Sequence, residues 1–184
     1  MRGWSLGGWV IPVALGAALA VSMAGGTQEV QAAGPGAFTI DNVHSAAIFK
    51  IRHAGASNNY GRFNTLSGTY TIDEEAPEKS SIAVRIDAAS IDTNSEARDK
   101  HLRSPDFFAV KQFPEITFTS TSVTRAGDSD RYSVTGKLSL HGVEKEVTIP
   151  FAKVGEGKNK AGQAVSGYET TFSIKRGDYG MTKY

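Results

Sequence analysis

The sequence predicts an all-β protein: an antiparallel up-and-down β-barrel, or a sandwich, with one short helix inserted. From Phe38 onward, apolar residues recur at every second position in run after run, the mark of strands with one buried and one wet face. The runs are separated by clusters of Gly, Asn, Asp and Pro, which supply turn geometry between antiparallel neighbours. No stretch keeps a helical period long enough to cross over between parallel strands.

Residues 1–32 differ in composition from the rest. Arg2 is the only charge before Glu29, and "WVIPVALGAALAVSMAGG" is followed by the small residues of "VQAAG". A basic start, an apolar middle and a Val-x-Ala site ending at Ala32 describe a secretory signal peptide, cleaved after Ala32 in preference to Ala24. The apolar run is nearly long enough for a membrane anchor, but its glycines and the small residues behind it favour cleavage. The chain contains no cysteine, so lipid attachment through an acylated cysteine, disulfides and thiolate chemistry are all excluded. Residues 33–184 then form one domain that folds on its hydrophobic core alone, in the periplasm or outside the cell.

The strands follow in order. "SAAIFKIRH" places Ala47, Phe49 and Ile51 on one face, with Lys50 and Arg52 on the other; "LSGTYTI" repeats the pattern with Leu66, Tyr70 and Ile72. In "SIAVRID", Ile82, Val84 and Ile86 oppose Ser81, Arg85 and Asp87. Ile116 and Phe118 in "EITFTSTSV", then Tyr132, Val134, Leu138 and Leu140 in "RYSVTGKLSL", continue the series. Val147, Ile149 and Phe151 in "EKEVTIPF" and Tyr168, Phe172 and Ile174 in "GYETTFSIKR" complete it. The connectors are "ASNNYG", "DEEAPEKS", "RAGDSD", "HGVE" and "GEGKNKAGQ". Pro150 has no N–H for a ladder, so its strand must bulge or run along an edge there.

The short helix lies near residues 94–104. Thr93 and Glu96 have capping-box spacing, Glu96 with Lys100 and Asp99 with Arg103 are i to i+4 pairs, and Pro105 ends the turns. These spacings predict a solvated helix, anchored by at least one of Phe107 and Phe108 reaching the apolar interior.

Chemistry is sparse. A formal charge of +1, from 20 basic and 19 acidic residues, gives no field for nucleic acid or anionic lipid. Asp99, His101 and Asp106 are the acid and base groups nearest one another in sequence, yet spacing shows neither a third partner nor a substrate position. His44, His53, His101 and His141 have no metal-ligand spacing. There is no Gly-x-Ser-x-Gly, P-loop or dinucleotide-binding glycine motif. What remains is the apolar face, which either fills the interior or lines it around a ligand; a barrel of about eight strands is wide enough for both outcomes.

Four blocks carry a family resemblance: "FTIDNVHSAAIFKIRH", "SIAVRIDAASIDTNSEARDKHLRSPDFFAVKQFPEITFTSTSV", "YSVTGKLSLHGVEKEVTIPF" and "FSIKRGDYGM". In this order they resemble the YceI family of extracytoplasmic polyisoprenoid-binding proteins. The resemblance implies a lipocalin-like barrel, often dimeric, that holds a polyprenyl lipid or quinone-type tail, with no catalytic residue, metal or cofactor. It also implies a further strand after "DYGM", so the last closing strand is expected to be missing from a chain that stops at Tyr184. The expected lining is Phe49, Ile51, Tyr70, Ile82, Val84, Ile86, Phe118, Tyr132, Phe151 and Phe172. The alternatives are a small extracytoplasmic enzyme acting on a lipid through Asp99 and His101, and a stress protein with a filled barrel working through a partner surface.

Overall fold

A computed structural model describes residues 37–127 and 130–183; the expected signal peptide lies outside them. A seven-stranded antiparallel sheet has the order β1 (Phe38–Thr39), β4 (Leu66–Thr71), β5 (Ser81–Asp87), β7 (Glu115–Arg125), β8 (Arg131–Leu140), β9 (Val143–Lys158) and β10 (Ala164–Glu169). A second sheet of three strands has the order β2 (Ala47–His53), β3 (Ser57–Phe63) and β6 (Ile91–Asp92).

The two sheets are one meander bent at a corner. β3 runs into β4 through Asn64 and Thr65, while β5 runs into β6 through one 3-10 turn, Ala88–Ser90. Each strand of the large sheet after β1 pairs with the next in an unbroken antiparallel series. The result is a nearly closed up-and-down barrel, as the alternating runs require.

Alternation decides what the barrel encloses. On β8, Tyr132, Val134, Leu138 and Leu140 are buried, whereas Arg131 and Lys137 are exposed. Their partners Phe118 and Ile149, together with Ile82, Phe63, Ile91 and Ile116, complete one core. Gly136 lies on the same inward face, where a Cβ would stand 2.6 Å from Cζ of Phe118. Glycine is required there so that the Phe118 ring can cross β8. The β8–β9 hairpin turns on His141 (φ 53°) and Gly142 (φ 74°), the geometry of a two-residue type I′ turn.

Three local expectations are corrected. "ASNNYG" is not a connector: β3 begins at Ser57, and the turn is confined to the residues just after His53. The "GYETTFSIKR" strand ends early, because β10 stops at Glu169 opposite Ala152, and the next steps would bring it to Pro150, which has no N–H to donate. The hydroxyl of Thr170 caps that point by donating to the Pro150 carbonyl at 2.5 Å. Phe172 and Ile174 are therefore off the sheet and 41% exposed, not on its inward face.

The helix α1 (Glu96–Leu102) is present, but the expected capping box and ion pairs are not. Its N-cap is Ser95, which makes no side-chain cap bond. Asn94 takes a left-handed turn (φ 59°) that carries Thr93 back over the helix. There the Thr93 backbone N–H and hydroxyl both donate to Asp99 Oδ1. Asp99 is thus buried rather than wet. Arg103, its expected partner, donates instead to the carbonyls of Ala89 (2.8 Å) and Ile91 (2.7 Å). Among the described residues no ion pair joins Glu96 to Lys100. Phe108 reaches the core edge-on to Phe63 at 5.5 Å, as expected of one of the two rings.

Candidate ligand-binding site

Of the expected lining residues, Phe49, Tyr70, Ile82, Val84, Ile86, Phe118, Tyr132 and Phe151 are brought together in or against the core. Ile51 shares the inward face of β2 with Phe49 but is 44% exposed, and Phe172 is displaced as described. The interior so formed has two unlike ends.

One end carries the loop after β4, the β7–β8 turn and the β9–β10 turn, and it is aromatic below and charged above. Tyr70 sits edge-on to Tyr168 at 5.5 Å, and Tyr168 stacks on Phe151 at 4.9 Å. The Tyr70 hydroxyl donates to the Ser166 carbonyl at 2.6 Å, tying β4 to β10 across the interior. Above these rings Lys153 pairs with Glu74 and, at 2.6 Å, with Glu156. Those hydrogen bonds, to Glu156 first and then Glu74, push the Lys153 ammonium above its usual range. Arg125 donates to the Glu74 carbonyl and lies 5.6 Å over the Tyr132 ring. Lys153 and Glu74 are far apart in sequence, so no spacing signal announced this lacing.

The other end is covered by α1, the segment after it, and a 3-10 turn at Arg176–Tyr179. Tyr179 and Met181 are buried there, and the Tyr179 carbonyl lies 3.0 Å from His141 Nδ1. Two clefts of about 410 and 380 Å³, lined largely by Arg85, Pro114 and Glu115 with their neighbours, lie outside the apolar interior.

Burial raises the phenols of Tyr132, Tyr168 and Tyr179 above their ordinary value. The unfolded chain loses these protons near pH ~10, while the folded chain keeps them to higher pH. Stability is therefore expected to be intact below about pH 10 and to fall as pH rises through the folded values, and the raised Lys153 acts in the same direction. Urea midpoints measured alongside tyrosinate absorbance check this; midpoints that rise above about pH 10 would contradict it.

The model of the YceI-like domain matches residues 38–184. The chain belongs to the YceI family. Protein YceI of Salmonella arizonae is 42% identical over 139 residues, covering 76% of this chain and 72% of that protein. The Campylobacter jejuni YCEI protein has a crystal structure that matches with a TM-score of 0.62 at 33% identity, over 78% of this chain and 83% of that one. Burkholderia cenocepacia BcnA matches with a TM-score of 0.69 at 25% identity, over 76% and 83%.

In this YceI barrel, Asp99 and His101 are not joined into a catalytic pair. Asp99 is held by Thr93, and His101 Nε2 meets the Asp106 carboxylate at 3.1 Å on the surface. That contact with His101, followed by Lys183, lowers the Asp106 carboxyl below its usual range. The other expected histidines stay apart: His44 contacts Asp41 at 2.7 Å, and His141 the Tyr179 carbonyl. No helix among the described residues is long and apolar enough to cross a membrane.

Proposed function

We propose that this protein is a non-catalytic, extracytoplasmic binder of long-chain isoprenoid lipids or similar amphiphiles, such as polyprenyl lipids or quinones. Its role is to sequester or transport them, or to protect the envelope under stress. The observation that carries the reading is the inward apolar face shared by successive strands, from Phe49 and Tyr70 through Ile82, Phe118 and Tyr132 to Phe151, inside a nearly closed barrel. Secretion follows from the expected signal peptide of residues 1–32, with 33–184 as the mature domain.

The energetics favour a long tail. Each five-carbon isoprene unit contributes up to about 4 kcal/mol on burial, at roughly 0.8 kcal/mol per CH2-sized group. Association and ordering of the tail remove about 4 to 15 kcal/mol, so several units must enter before binding becomes micromolar. Mass spectrometry of an organic extract from protein made in a bacterial host should show a prenylated amphiphile at near-stoichiometric amount. Repeated extracts without one would refute the reading.

A filled barrel that acts through a partner surface is the rival reading. The cluster of Tyr70, Tyr168 and Phe151 at one end is the observation on its side. Lipid-independent capture of a partner by delipidated protein would decide for it.

A further inference from the structure

Tyr132 is the feature that the apolar reading does not absorb. It stands on the inward face of β8, opposite Phe151, and is only 1% exposed. Its hydroxyl is buried and meets no hydrogen-bond partner among the described residues. Phenylalanine would fill the same space without that cost, since a buried hydroxyl left unpaired gives up its hydrogen bonds to water for nothing. Of the other two phenols at this end, Tyr70 and Tyr168, Tyr70 is satisfied by Ser166, and neither is a buried hydroxyl without a partner.

We infer that the Tyr132 hydroxyl is the polar anchor of the barrel interior, donating a hydrogen bond to an uncharged oxygen of the bound amphiphile, such as an alcohol, ether or carbonyl oxygen. This rests on the lipid-binding reading and adds the class of polar group recognised. The surroundings select a neutral oxygen. Val134 on the same face of β8 and Phe151 across on β9 offer nothing to an ionised group, and the β7 partner of Tyr132, Arg125, lies over the ring 5.6 Å from its centroid rather than in hydrogen-bond reach of the hydroxyl. Two cations of this end are held by other groups, Lys153 in ion pairs with Glu74 and Glu156 and Arg125 in a hydrogen bond to the Glu74 carbonyl. A phosphate carried to this depth would shed its hydration, and to gain a counter-charge it would have to draw Arg125 off the Glu74 carbonyl or Lys153 out of its ion pairs. A neutral oxygen needs only the one donor that Tyr132 supplies.

The test compares three probes of one carbon skeleton: geranylgeraniol, the matching hydrocarbon without oxygen, and geranylgeranyl phosphate. Each is titrated into delipidated wild-type protein and the Tyr132→Phe variant. Wild type is expected to bind the alcohol about 5- to 10-fold more tightly than the hydrocarbon, the span of one buried hydrogen bond, and the phosphate more weakly than the alcohol. Tyr132→Phe should lose that preference while holding the hydrocarbon within about twofold, which also shows that the interior is still formed. Its melting temperature should be no lower than that of wild type. An alcohol preference that survives in Tyr132→Phe, or is absent from wild type, overturns the anchor alone. A wild-type protein that binds none of the three overturns the lipid-binding reading as well.

Discussion

Phe118→Ala is expected to lower the free energy of unfolding by about 3 to 5 kcal/mol, the range for removing a large aromatic ring from a packed core. Phe118 is 8% exposed on β7, in the middle of the seven-stranded sheet, with Val84 and Leu138 as its cross-strand neighbours. Its ring crosses Gly136, which has no side chain of its own to move into the space the ring leaves. The transfer cost of the lost carbons and the cost of the remaining void therefore add. Urea unfolding followed by circular dichroism measures the loss directly. A loss below about 1.5 kcal/mol would show that the interior is loosely packed around this ring, contrary to its burial.

Asp99→Ala is expected to cost about 2 to 3 kcal/mol, the magnitude for buried hydrogen bonds to a charged acceptor. The carboxylate accepts from both the backbone N–H and the hydroxyl of Thr93. Arg98 closes the arrangement by donating to Thr93 Oγ1 at 2.7 Å and to the Thr93 carbonyl at 2.6 Å. Truncating Asp99 leaves the Thr93 donors unpaired in a site that excludes water, and frees the segment that positions α1. Asp99→Asn keeps one acceptor oxygen and should lose about 1 kcal/mol. Hydrogen exchange should place the loosening at residues 91–103. Full stability in Asp99→Ala would show that the helix is held by its apolar contacts and Arg103 instead. Asp99→Asn combined with His101→Gln should leave lipid occupancy unchanged, since neither group faces the interior residues named above.

The course of the strands was legible where one face is apolar and the other charged. In β5 and β8 every second residue announces the interior, and the structure follows that alternation closely on β8, whereas on β5 Ile82 is buried but Ala83 through Ile86 are all half-buried. β3 escaped because Asn59 and Gly61 stand opposite Ile51 and Phe49, so its inward face carries no apolar signal before Phe63. The end of β10 depended on Pro150, which sits about twenty residues upstream and acts only once the two strands are in register. The capping box failed for a comparable reason: Thr-x-x-Glu spacing assumes Thr93 as N-cap with helical backbone from Asn94 onward, and the left-handed Asn94 redirects the threonine to Asp99. The site was legible as a face and not as a constellation. Tyr132 could be counted among the inward residues, but whether its hydroxyl finds a partner depends on what the barrel places around it.

The central claim is that the interior holds an isoprenoid tail, and native mass spectrometry of the purified protein tests it most directly. One spectrum reports both the oligomeric state and the mass of whatever remains bound. The account predicts a bound species whose mass, after release, resolves into a polar group and several five-carbon units, displaced when an excess of a longer polyprenol is added. A protein that sprays at its bare chain mass, and stays there after incubation with polyprenols of increasing length, would contradict it.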